Sequence, residues 1–348
     1  MKHLPYSLLF IFMCFCPLQA QVAKTFYVPK AGSLVELMTI EEANSITHLT
    51  LTGKINAIDF RHLRDEFNSL QSLDISNAEI SIFAGKNGTV DRMTAYTPNC
   101  IPPYAFCKLE NGVFKGKESL QQVIISEKIR TIEEAAFKGC TNLKALKINK
   151  KTAPNLKKEA IADSLTVIFV PIGCASAYRN AKNWTTYGIV EGEPTIADLT
   201  IPADGSLSDE LTKHSLRPKD IHFLTVKGKM DESDFKLLRD YMLNLVSVDL
   251  SQCTSTVIPD YTFTQKRYLL SVSLPERLTT IGQRAFSGCS RLSGTVILPP
   301  TVTTLGFGAF LGCDKLHTVV ATGGQIISVG ENLFGDSGGR LIYKDRAY

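Results

Sequence analysis

The sequence predicts an α/β solenoid of short stacked strands, built as two tandem copies of one repeat domain, each preceded by a strand-helix segment. Three observations predict it. An offset of 175 residues pairs one half of the chain with the other, a shorter period of 23 or 24 residues recurs within each half, and a Phe-x-Gly-Cys turn returns in step with that period.

Along the chain, residues 1–20 read as a secretory signal. Lys2 and His3 precede an apolar run from Ser7 to Leu18, and Ala20 leaves a small residue before Gln21. The run is about a dozen residues, whereas a span of about 30 Å needs about 20, so a retained transmembrane anchor is not expected. The mature chain is expected to start near Gln21 and to carry no transmembrane segment. The composition of the full 348-residue sequence, 44% hydrophobic and 21% charged, is globular, which excludes disorder as the default. Loss of Lys2 leaves 37 basic against 34 acidic residues, too small an excess to imply nucleic acid.

The first copy opens with Ile46-Thr-His-Leu49-Thr-Leu51, a strand by its alternation, which returns as Ile221-His-Phe-Leu224-Thr-Val226. A helix follows, with Phe60, Leu63 and Phe67 on one face, matched by Phe235, Leu238 and Met242. Asp59 and Asp234 are its candidate N-caps. Leu70, Leu73 and Ile75 then carry the Leu-x-x-Leu-x-Leu spacing of a strand, repeated as Leu245, Val248 and Leu250.

The short period runs from Phe114 to Phe137 in the first copy, and from Phe263 through Phe286 and Phe310 to Phe334 in the second. A period in the low twenties is that of leucine-rich repeats, each of which supplies one strand and one irregular segment to a stacked core. Phe should plug the wall opposite the strands. Cys140, Cys289 and Cys313, following the turn glycine, are expected to be small buried hydrophobes.

The turn Ile281-Gly282-Gln-Arg-Ala285-Phe286-Ser-Gly288-Cys289-Ser-Arg-Leu292 resembles that of the BspA-type leucine-rich-repeat surface proteins of anaerobic, Bacteroides-like bacteria. The segment Ile168-Phe169-Val170-Pro171 to Trp184 is similar to that family's closing strand, helix and tryptophan. The resemblance implies exposure at the cell surface and adhesive binding. It covers nearly all of the mature chain, although the arrays are short and no such closing segment follows the second one. Domains are expected at 21–193 and 194–348, divided at Glu191-Gly192-Glu193-Pro194.

Chemistry is expected to be absent. Gly335-Asp336-Ser337-Gly338-Gly339 is spelled like the nucleophile motif of trypsin-like proteases. No histidine stands in the matching setting, however, and the repeat register lays the segment over Phe310-Leu311-Gly312-Cys313, an ordinary turn. Neither Cys-x-x-Cys nor paired-histidine spacing occurs in the mature chain, so no metal or other cofactor is expected. Cys100 and Cys107 are a candidate disulfide.

Candidate ligand-binding residues are the lysine cluster of Lys144, Lys147, Lys150, Lys151, Lys157 and Lys158, which suits an anionic glycan, and Trp184, which suits a sugar or protein partner. Each has a plainer reading: a solvated face for the lysines and a cap on the first array for Trp184. The expected partner is an extracellular protein or glycan bound to the solenoid surface. Self-association as a structural envelope component is the alternative.

Overall fold

The computed structural model describes residues 22–162, 167–321, 328–343 and the strand at 346–347. The expected signal, 1–20, lies outside the described residues.

Seven parallel strands follow one another in chain order as one sheet: β1 (Ala23–Val28), β2 (His48–Ile55), β3 (Ser72–Ile80), β4 (Gln122–Ile125), β5 (Ala145–Ile148), β6 (Val167–Val170) and β7 (Gly188–Glu191). Parallel neighbours need a crossover, and each crossover here is one turn of the solenoid. The second half repeats the pattern with β8 (Ile196–Thr200), β9 (Phe223–Lys227), β10 (Ser247–Asp249) and β11 (Ser271–Ser273). It continues as a separate parallel set, β12 (Gly294–Leu298), β13 (Leu316–Ala321) and β14 (Arg340–Tyr343). The opposite wall is made of two-residue strands, such as Thr280–Ile281 and Thr304–Leu305, also in parallel register.

Alternation along each strand decides what lies inside. Leu49, Leu51, Leu73, Ile75, Val123 and Ile125 point inward and are buried, each contributing on the order of 1.5–3 kcal/mol. One apolar cluster runs from Val28 to Ile189 and another from Ala197 to Leu341.

Five short α-helices occur among the described residues: α1 (Ile40–Ser45), α2 (Ala57–Asp65), α3 (Ala175–Arg179), α4 (Leu207–Lys213) and α5 (Glu232–Tyr241). The counterparts α2 and α5 bury Phe60 and Leu63, and Phe235 and Leu238. Their N-caps differ from expectation. Asn56 and Asp231 hold the cap position, while Asp59 and Asp234 sit three residues on, completing capping boxes by accepting from the cap residue's own N–H. Asp59 also accepts from Gly32 N at 2.7 Å and Leu34 N at 3.0 Å, so one buried carboxylate ties the preceding loop to the helix start.

Two backbone features set the coil. Gly306 lies so close to the coil below that a Cβ there would stand 2.4 Å from Gln283 N. A left-handed residue, two before the phenylalanine, recurs at Tyr104, Ala135, Tyr261, Arg284, Gly308 and Asn332. Only one of these is glycine, so the sequence gives little sign of them.

Candidate binding face

The outward side chains of the parallel strands form two faces, one per half, and the two faces meet. On the first sheet Ala145, Val167, Phe169 and Val190 are apolar, and they pack against Phe223 and Val246 of the second half. The Phe169 ring lies 6.1 Å from that of Phe223 and makes a T-shaped contact with His222 at 4.8 Å. Lys147, buried, forms an ion pair with Glu193, and Arg291 Nη1 donates to Thr186 O at 3.5 Å. This end of the first sheet is therefore internal. The run Val167-Ile168-Phe169-Val170, buried at every residue, is the sequence mark of a strand covered on both faces.

His222 is the polar group inside this contact. Its Nδ1 accepts from Thr195 N at 3.2 Å, its Nε2 is buried with no hydrogen-bond partner, and burial lowers its pKa to about 4 against the opposing pull of Asp220.

Beyond the contact the faces part to enclose a cleft of about 290 Å³. One wall carries Gln122, Ser72 and Lys144, and the other Thr225, Ser247 and Asp249. The Ser247 and Ser271 hydroxyls lie 2.9 Å apart on adjacent strands. Strand pairing fixes the spacing of these hydroxyl and amide groups, so the cleft offers donors and acceptors at little ordering cost.

The opposite wall is closed. Phe263, Phe286, Phe310 and Phe334 stack with centroids 4.9, 5.2 and 6.0 Å apart. Cys140, Cys253 and Cys289 are buried, and burial pushes the thiols of Cys140 and Cys253 up to about 12 and that of Cys289 well above its ordinary range. A thiol that stays protonated is a poor nucleophile.

The sequence profile of the BspA type leucine rich repeat region matches six times, over residues 99–181 and 241–339, more than half of the chain. The chain belongs to the BspA-type leucine-rich repeat family. Solved structures similar to it include a leucine-rich repeat protein from Bacteroides ovatus, with 15% identity, TM-score 0.26, and coverage of 86% of this chain and 84% of that one. A leucine rich cell surface protein from Faecalibacterium prausnitzii has 14% identity, TM-score 0.25, and 79% and 73% coverage. The pneumococcal vaccine antigen PcpA has 13% identity, TM-score 0.22, and 94% and 74% coverage. No curated protein matches the chain.

In this BspA-type chain the expected site residues do not converge. Lys144 and Lys147 belong to the strand side, and Lys157 and Lys158 follow Asn155–Leu156 on the opposite wall. Lys151 is exposed and Lys150 half-buried between them. Lys147 is withdrawn by its pairing with Glu193. Trp184 is not a surface anchor, because it is fully buried, donates from Nε1 to Pro154 O at 2.9 Å and meets Tyr178 edge-on at 5.3 Å. It closes the first array.

Phe114 does not belong to the aromatic stack of the first copy. Phe106 stacks on Phe137 at 5.2 Å instead, and Phe114, half-buried on the hairpin Cys107–Glu110/Val113–Gly116, lies against Tyr104 at 6.4 Å. Cys100 and Cys107 are free and buried. Cys100 accepts from Thr97 Oγ1 at 3.0 Å, while Cys107 donates to Lys108 O at 3.5 Å. Ser337 donates to Phe334 O at 2.7 Å within the turn that its glycines form. No group of three or more potential ligands able to hold a metal occurs among the described residues, and no helix among them is long and apolar enough to cross a membrane.

Two lysines lay outside the sequence reading. Lys117 and Lys266 occupy the cysteine position of the first aromatic coil in each copy and are buried. Their ammonium groups donate to Arg64 O at 3.2 Å and Arg239 O at 2.7 Å, carbonyls in the last turns of α2 and α5. Burial lowers both to about 8. Each caps a helix C-terminus from within the core.

Proposed function

We propose that this BspA-type chain is an exported, non-catalytic binding protein that holds another macromolecule outside the cell, in adhesion to host or neighbouring-cell surfaces. The observation that carries the reading is the cleft between the two strand faces, where Gln122, Thr225, Ser247 and Asp249 present donors and acceptors on rigid backbone. Residues 21–193 and 194–348 act as two tandem domains whose mutual contact shapes that cleft. Export is supported by the apolar N-terminal run, and the described cysteines, all buried but Cys174, are withdrawn from oxidants.

The test is surface plasmon resonance of residues 22–348 over a panel of extracellular-matrix proteins and bacterial glycans. The expected result is saturable retention of one class. Absence of any ligand, together with defined self-association in light scattering, supports an assembly role instead.

A further inference from the structure

The second copy shows which parts of the first the fold can do without. From Ser76 and Ser251 to Ile101 and Ile258 the offset falls from 175 to 157, and by Phe137 and Phe286 it has fallen to 149. The first copy thus carries insertions of 18 and 8 residues. Both are antiparallel hairpins, Phe83–Gly85 with Thr94–Tyr96 and Cys107–Glu110 with Val113–Gly116. The core ignores them: Phe106 and Phe137 stack at 5.2 Å around the second insertion, and Phe263 and Phe286 stack at 4.9 Å without it. Insertions that a sibling domain lacks are where recognition is expected.

The two hairpins wall one groove of about 550 Å³ floored by α2. Arg64 builds it. Its Nη1 lies 2.8 Å from Thr89 O, 3.0 Å from Tyr104 O and 3.3 Å from Cys107 O, and the side chain is only 9% exposed. Its counterpart Arg239, in the copy without hairpins, is 35% exposed, and its guanidinium pairs with its neighbour Asp240.

The charges in the groove are unevenly matched. Asp91 is taken by Arg61 at 2.9 Å, Asp65 by Arg64 at 2.7 Å and Lys108 at 3.0 Å, and Glu110 by Lys115 at 2.7 Å. Burial opposes the ionisation of Asp65, but its hydrogen bonds and charge contacts with Arg64 and Lys108 win and hold its carboxyl below the usual range. Arg92 lines the same groove, exposed, with no carboxylate at ion-pair distance among the described residues. Val90 on the same hairpin, half-buried, and Leu109 on the facing hairpin, 51% exposed, are apolar residues of the lining.

We propose that this groove binds an extended acidic segment of a partner protein, one carboxylate meeting Arg92 and flanking apolar side chains covering Val90 and Leu109. The proposal rests on the binding function above and adds a second, polypeptide-reading site to it. Unmatched charge gives orientation, and the apolar lining gives contact area.

The experiment uses residues 22–348 on two arrays of 12-residue peptides, one with a single Asp or Glu flanked by Leu, Ile or Phe, the other with Lys in place of the acid. Two variants are compared with the wild type. One is Arg92→Glu, a surface change. The other lacks residues 108–115, which restores the spacing from Phe263 to Lys266 of the second copy. Retention of acidic peptides, weakened at least tenfold in both variants with melting temperature unchanged for Arg92→Glu, is the expected result. Preference for the lysine array, no retained peptide, or undiminished binding by both variants overturns the proposal. So does a glycan, rather than a peptide, whose binding is lost with the hairpin. Because the matrix-protein and glycan panel is measured separately, a failed groove with a binding cleft leaves the wider reading standing.

Discussion

The thiol of Cys313 donates to the backbone carbonyl of Phe286, 3.1 Å away and one coil earlier. Cys289 does the same to Phe263 O at 3.0 Å and Cys140 to Phe106 O at 3.4 Å. The carbonyl of Phe286 already takes Cys289 N within its own turn, so the thiol fills its second lone pair and stitches successive coils together. Small size and a weak donor are both needed there, which is why cysteine rather than alanine follows the turn glycine.

Replacing Cys313 with alanine therefore removes a sulfur-sized volume and one hydrogen bond from a closed core. A loss of about 2 kcal/mol is expected in urea unfolding. Cys313→Ser, which keeps a donor, should lose less.

The buried lysines impose a pH signature. Burial lowers Lys266 to about 8 from its ordinary 10.5, so between those values the unfolded chain holds a proton that the folded chain has released, and stability rises with pH. Lys266→Met abolishes that contribution while Lys117 still acts in both proteins. The stability of wild type relative to variant should increase by up to about 3 kcal/mol from pH 8 to pH 10.5, at about 1.4 kcal/mol per pH unit.

His222 acts in the acid range. Lowered by burial to about 4, it is neutral in the folded chain where the unfolded chain, near 6.5, becomes protonated. Stability is full above pH 6.5 and falls as the pH drops to 4, by up to about 3 kcal/mol. His222→Asn, which keeps an acceptor for Thr195 N, should flatten that part of the unfolding profile.

The left-handed position offers a gain. Glu159, exposed at φ 53°, stands two residues before Ile161, in the place that Arg284 holds before Phe286. Glycine adopts this conformation without the clash of a Cβ, so Glu159→Gly should raise stability by about 0.5–1 kcal/mol despite glycine's greater unfolded entropy. Arg284→Gly should gain less, since Arg284 also sits over the Phe307 ring at 5.6 Å.

What the sequence made legible was whatever repeats. Leu70, Leu73 and Ile75, the Phe column and the Gly-Cys turns are periodic because every coil faces the same packing problem, so the solenoid and its duplication could be read from spacing. Phe114 misled because the eight-residue hairpin placed a phenylalanine 23 residues before Phe137 by coincidence, while the true stacking partner, Phe106, stands 31 before it. Asp59 and Asp234 were misplaced by three residues because a capping box contains two polar groups and only geometry tells which one caps. The cleft had no periodic signal at all. It exists because Phe169 meets Phe223, a contact between halves, and its one local trace was the unbroken apolar run from Val167 to Val170.

The measurement that tests the account most directly is binding of the panel's best ligand by wild type and by Ser271→Trp, which places an indole in the cleft beside Ser247. Saturable binding by the wild type, lost or weakened at least tenfold in the variant at unchanged melting temperature, is the predicted result. Equal binding by the two proteins would contradict the cleft as the functional site, and no binding by either would contradict the adhesive function itself.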